Sequence, residues 1–207
     1  MRTKFTTICA SLMLLAGTSQ AAVIMSNFNQ GTEDWFGIEG HVEWQASGGN
    51  NGGFLRQTDT TSDEMLVFAP NMFRGNLGTF FGGRIGFDAI NLNGQAPDWG
   101  AFGTITLFSS AGNASADLAL AGQPTSQWTS YQIALEDALW DGAALNDVLN
   151  NITGISLMLE YHDGVTEIAG MDNFFIASNQ NAVSLPGNLT LMSLGLAVLL
   201  CYRRQPD

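Results

Sequence analysis

Between Ala22 and Asn181 the chain has no cysteine and no lysine. Its two cysteines, Cys9 and Cys201, stand near the ends, so no disulfide can hold the central block together. A packed core or a bound metal ion must do so instead. The missing lysines exclude a class of partner, because only Arg56, Arg74 and Arg84 oppose eighteen carboxylates in that block. Phosphate binding needs clustered cationic side chains, so nucleic acid and anionic lipid are excluded, while divalent cations are attracted. Catalytic material is scarce as well. The histidines are His41 and His162, no serine sits in a Gly-x-Ser-x-Gly turn, and the block offers no thiol, so a nucleophile–histidine–acid triad is not expected. Two lone histidines have no zinc-ligand spacing. The glycine run "GGNNGG" (48–53) lacks the Lys and following Ser or Thr of a phosphate-binding loop.

Both ends are apolar. Arg2 and Lys4 precede an apolar stretch that closes on the small residues Ser19 and Ala21, the pattern of a secretory signal peptide over residues 1–21. At the other end Leu189 to Tyr202 are mostly apolar and are followed by Arg203 and Arg204. Such a run suits a short transmembrane helix whose basic end stays in the cytoplasm with the domain outside. With "VSLPG" at 183–187 ahead of it, segment 182–207 resembles C-terminal sorting signals of the PEP-CTERM type, closest to their Val-Pro-Leu-Pro variants. The resemblance implies export across the inner membrane of a Gram-negative bacterium, and anchoring there until an exosortase-type enzyme acts. The protein would then reside at the cell surface or in the extracellular matrix. A sortase signal is a poorer fit, since Asn188 and Leu189 occupy its Thr and Gly positions.

Residues 22–181 read as one domain. Short alternating segments separated by Gly, Asn, Asp and Pro predict strands at 22–28, 53–58, 64–69, 83–90, 104–109, 116–121, 128–135, 155–161 and 171–177. In "ISLMLEY", Ile155, Leu157 and Leu159 point one way and Ser156, Met158 and Glu160 the other. A single short helix is predicted near 142–150, in "GAALNDVLNNITG". Many strands and one helix specify an all-β fold, an antiparallel β-sandwich of jelly-roll type.

The stretch from Phe28 and Trp35, through Gly48, Gly49, Gly52 and Gly53, to Ala69, Pro70, Phe73 and Gly75 resembles the laminin B (laminin IV type A) domain. "LNNITGISLMLEYHDGVTEIAGMDNFFI" is similar to that family's closing helix, strand, hairpin and Leu-Asp-Asn-Val strand, with Met171 for Leu and Phe174 for Val. Glu33-Asp34-Trp35 departs from the usual Gly-Trp opening. The resemblance implies a β-sandwich used for binding or display in extracellular matrices, with no catalytic residues.

Two candidate sites follow. Sugar-binding surfaces present flat rings beside amides and carboxylates. Trp99 in "GQAPDWGAF" reads as a loop-borne ring with Asp98 and Asn93 nearby, and Tyr161 and Trp140 are further candidates. Trp35, Trp44 and Trp128 read as buried. Calcium takes six to eight oxygen ligands, and a structural Ca2+ would clip the first strand to the last through Asn27, Asn29 and Glu33 on one side and Asp172 and Asn173 on the other. The competing reading is that Asp172 and Asn173 make backbone hydrogen bonds at a turn. The composition favours a non-enzymatic module that contacts extracellular polysaccharide or a matrix protein. The alternative is a carboxylate-dependent glycoside hydrolase or lyase, which needs only a pair of acids.

Overall fold

The computed structural model describes residues 21–164 and 166–179. Apart from Ala21, the expected export segment 1–21 and the expected anchor 182–207 lie outside the described residues, and no helix among the described residues is long and apolar enough to cross a membrane.

The chain opens with β1 (Val23–Ser26), β2 (Phe36–Ile38), β3 (Gly40–Gly49) and β4 (Gly52–Asp59). Then come β5 (Leu66–Phe68), β6 (Arg84–Asn91), β7 (Thr104–Ser109), β8 (Gly112–Asp117) and β9 (Thr129–Ala134). The last elements are β10 (Asp141–Gly142), the helix α1 (Leu145–Leu149), β11 (Ile152–Met158) and β12 (Ile168–Ala177). They form an antiparallel sandwich of jelly-roll type. One sheet runs β3-β4-β12-β6-β9, with β1 also paired to β12, and the other runs β10-β8-β7-β11-β5-β2.

Several boundaries differ from the expectation for local reasons. The segment expected at 116–121 is strand only to Asp117, because the Asp117 carboxylate accepts the amide of Ala119 at 2.7 Å and turns residues 119–121 into a 3-10 turn. The helix is confined to five residues. Asp137 Oδ1 accepts the Leu145 amide at 2.8 Å at its start, and Gly154 lies within β11 instead of ending it. β2, β3 and β10 were not foreseen; β3 carries polar His41, Glu43 and Gln45 alternating with Val42, Trp44 and Ala46. In β11 the expected inward set Ile155, Leu157 and Leu159 is buried, and Ser156, Met158 and Glu160 are covered as well. The strand is central in its sheet, paired on its two edges with β7 and β5.

The core between the sheets replaces the missing disulfides with aromatic rings. Trp35 packs edge-on against Phe174 (4.8 Å between centroids), Phe73 (6.0 Å) and Phe28 (6.2 Å), and its indole donates to Ser26 Oγ at 2.9 Å. A second group joins Phe87, Phe102, Tyr131 and Tyr161. The register of β12 slips between Asp172 and Phe175 relative to β6, and Asn173 adopts a left-handed φ of 48°. A bulge of this kind re-aims side chains next to it.

Trp35→Ala should cost about 3–5 kcal/mol of stability, since it removes a buried ring and orphans Ser26 Oγ. Urea unfolding measures this, and a loss below about 1 kcal/mol would show that the ring does not organise the core.

Candidate ligand face and cation site

Strand register determines which side chains share the outer face of the first sheet. Leu55, Met171, Ala89 and Phe87 are buried in the core, so their neighbours Arg56, Gly170, Ile90 and Asp88 face outward. Gly170 lies opposite Arg56 on one side and Ile90 on the other, and a Cβ there would run into Ile90, Trp128 and Phe54. The absent side chain therefore leaves a floor on which Trp128 lies. Phe54 is buried beneath it, with ring centroids 5.5 Å apart at 77°. The Trp128 indole donates to the Gly48 carbonyl at 3.0 Å, which tethers the β3–β4 hairpin to the same face.

Polar groups flank this half-exposed ring. On one side Arg56 pairs with Glu43, the two being cross-strand partners. On the other, Asp88 accepts hydrogen bonds from Ser130 Oγ, Asn50 Nδ2 (2.7 Å) and Asn173 Nδ2 (2.8 Å). A flat apolar ring between such groups can bind a sugar ring, stacking on its C–H face while the polar groups meet its hydroxyls.

Asp172 lies directly opposite Asp88 in the sheet. It is fully buried and accepts the amides of Asn173 (2.7 Å) and Asn51 (3.2 Å). Burial pushes its carboxyl above the usual range, the neighbouring amides of Asn51, Asn173 and Asn50 pull it back, and the charge of Asp88 raises it again. The hairpin turn crowds against these oxygens. A Cβ on Gly49 would meet Asp172 Oδ2, and one on Gly52 would meet Asn29 Oδ1. Two oxygens from opposite ends of the chain therefore converge on one glycine turn. Among the described residues no three His, Asp or Glu side chains are grouped as metal ligands, so a cation here would draw mainly on amide and carbonyl oxygens.

The structure divides the sequence-predicted residues. Asn29 and Asp172 both approach the hairpin turn, Asn29 at Gly52 and Asp172 at Gly49. Asn27, Asn29 and Glu33 line a surface hollow with Gln30 and Asp34, and Asn173 turns its amide to Asp88. Trp99, Asp98, Asn93 and Tyr161 are gathered at one end of the sandwich, mostly by backbone hydrogen bonds. The amides of Asp98 and Trp99 donate to the Tyr161 carbonyl (2.9 and 3.1 Å), and the Tyr161 hydroxyl lies 2.8 Å from Asn93 Oδ1. Tyr161 is fully buried, which removes its ring from any surface ligand, and Trp99 is half-buried. Trp140, also considered as a loop ring, is buried, and Trp44 is 38% exposed where burial was expected. Trp44 faces the core side of β3, but β3 is an edge strand and covers only part of the ring. Trp128, Phe54, Arg56, Glu43 and Asp88 were missed. Their convergence depends on strand pairing, and the one local signal was alternation.

No family model matches the chain, and no curated protein matches it. Among solved structures, the agarase AgWH50C superposes with a TM-score of 0.56 at 14% identity, over 78% of this chain and 25% of that one. The CBM22-1 xylan-binding domain of Paenibacillus barcinonensis Xyn10C superposes with a TM-score of 0.51 at 14% identity, over 79% of this chain and 99% of that one. The L4b domain of human laminin alpha-2 reaches a TM-score of 0.48 at 12% identity, over 56% of this chain and 71% of that one. The chain thus spans a quarter of the agarase and is matched over nearly the whole xylan-binding domain. For the agarase and the xylan-binding domain, the shared feature at these identities is the fold, a two-sheet antiparallel sandwich.

Proposed function

We propose that this chain is a secreted, surface-displayed, non-catalytic module that binds extracellular polysaccharide across the outer face of its six-stranded first sheet. The observation that carries this reading is Trp128, a half-exposed ring seated on Gly170 and Phe54 between the Arg56–Glu43 pair and the Asp88 amide cluster. The fold shared with a xylan-binding domain supports it. Delivery follows the terminal segments: residues 1–21 direct export, and 182–207 hold the domain at the inner membrane until an exosortase-type enzyme of a Gram-negative bacterium processes it.

Hydrolysis is less well supported. Asp88 and Asp172 face each other across β6 and β12, as a catalytic pair would, but both are occupied by hydrogen bonds from Ser130, Asn50, Asn51 and Asn173. A general acid or base must be free to reach the substrate.

The same reading gives the hairpin turn a structural Ca2+, held by Asp172 and Asn29 with backbone oxygens. The close approach of Asp172 Oδ2 and the Gly53 carbonyl to Gly49, and of Asn29 Oδ1 to Gly52, supports that donor set. Bound there, the ion would supply the positive charge that this part of the fold lacks.

Trp128→Ala should leave the fold intact and weaken binding to soluble xylan or another neutral glycan by about 2 kcal/mol, roughly thirtyfold, in calorimetric titration. Unchanged binding in Trp128→Ala together with loss in Trp99→Ala would move the ligand to the Trp99 loop. Silence of the wild type across a glycan array would leave a scaffold.

Calcium at about a hundred times its dissociation constant should stabilise the wild type by about 2.7 kcal/mol in thermal unfolding, and Asp172→Asn should abolish that gain. The ion needs an ionised carboxylate, so the gain should grow as pH rises through the raised Asp172 value. Equal melting with calcium and with chelator in the wild type would remove the metal.

A further inference from the structure

Where β4 and β11 finish and β12 begins, the core ends in three carboxylates. Asp59, Glu160 and Glu167 are 5%, 4% and 0% exposed. Each is clasped by backbone amides. Glu167 accepts from Tyr161 (2.9 Å) and His162 (3.1 Å), Glu160 accepts from Met65 (2.8 Å), and Asp59 Oδ1 accepts from Thr61 (3.1 Å). Asp59 Oδ2 is buried with no hydrogen-bond partner. No guanidinium reaches them: among the described residues the ion pairs are Arg56 with Glu43 and His162 with Asp98, the latter at 2.9 Å.

The groups that face Glu167 are therefore mostly acidic. Glu160 lies beyond β11 and Asp59 ends β4, and both charges repel an ionised Glu167. Glu64, in the β4–β5 connection, and Asp163 act on Glu160 in the same sense. His162 is the titratable base beside them, and its ring is turned toward Asp98.

Glu167 also has a mechanical role. Its carboxyl fixes the amides of Tyr161 and His162, and the Tyr161 carbonyl in turn holds the amides of Asp98 and Trp99. The loop carrying Trp99 thus hangs on one buried carboxyl through a single intervening residue.

We propose that Glu167 is a proton-operated latch: protonated, it holds the amides of Tyr161 and His162 and through Tyr161 the Trp99 loop; ionised, it is repelled by Glu160 and Asp59, and both contacts loosen. Burial, followed by the charges of Glu160 and Asp59, pushes Glu167 up to about 8, with the Tyr161 and His162 amides acting in the opposite direction. A carboxyl raised in the folded state favours folding most at pH below its ordinary value near 4.5, and that contribution is lost as pH rises through about 8. The latch is closed in mild acid and opens in mild alkali. It is independent of what the ligand face binds.

Hydrogen exchange of the full chain, corrected for intrinsic rate, tests this at about pH 5.5 and about pH 8.5. Protection of segments 92–103 and 160–164 should fall about tenfold at the higher pH while β6 and β12 hold. Glu167→Gln should remove the difference and His162→Gln should keep it. Protection independent of pH in the wild type, a difference that persists in Glu167→Gln, or one that vanishes in His162→Gln would each overturn the latch. Should Glu167→Gln fail to fold, Asp59→Asn decides: the opening midpoint moves to lower pH if Asp59 repels Glu167, and an unmoved midpoint refutes it.

Discussion

With three arginines and no lysine between Ala22 and Asn181, the carboxylates that the fold buries have to be held by backbone and side-chain amides. Asp172, Glu160 and Glu167 all follow this rule, and Asp88 follows it with the side chains of Asn50, Asn173 and Ser130. Where such a carboxyl is ionised, hydrogen bonds to it from neutral donors are among the stronger ones available to a protein. Each is also a clasp, because the donating amide belongs to a connection: the 50–51 turn, the start of β5, or the 161–162 turn. Acidity that looks like a surface property in the composition is, at these four positions, what fastens loops to sheets.

The clasps divide the molecule. At one end, the β3–β4 hairpin is pinned by Asp172, by Asp88 and by the Trp128 indole on Gly48. It sits against regular strands, so the groups around Trp128 are fixed before any ligand arrives, and little ordering entropy remains to oppose binding. At the other end, the Trp99 loop depends on Tyr161 and ultimately on Glu167, a carboxyl with acidic neighbours and no cation. The proposed ligand face therefore belongs to the stiffer region.

The fold class could be read from the sequence because period-two alternation is local. The segments around β4, β6, β7, β9 and β12 announced themselves through it. Boundaries set by a single side-chain cap, at Asp117 and Asp137, could not be read, since the same residues are equally at home in a turn. The site was harder. Asn27, Asn29 and Glu33 were set against Asp172 and Asn173 because they open and close the domain, and of these Asn29 and Asp172 approach the same hairpin turn. Trp128 was assigned to the core, because alternation alone does not say that its floor is a glycine on a strand forty residues away. Tyr161, a candidate sugar-facing ring, is instead buried, and its hydroxyl is satisfied inside against Asn91 and Asn93.

Asn173, held at positive φ within β12, has one more effect. Before it, odd-numbered residues such as Ala169 and Met171 enter the core; after it, even-numbered Phe174 and Ile176 do. The central strand thus carries a phase shift, and its two halves share one interior because Asn173 is left out of the pleat. Absorbing Asn173 into a regular strand would turn Phe174 and Ile176 to solvent, whereas deleting it would leave an unbroken alternation with both still inside. The left-handed backbone at Asn173, and not the number of residues from Ile168 to Ala177, is what keeps both halves on one core.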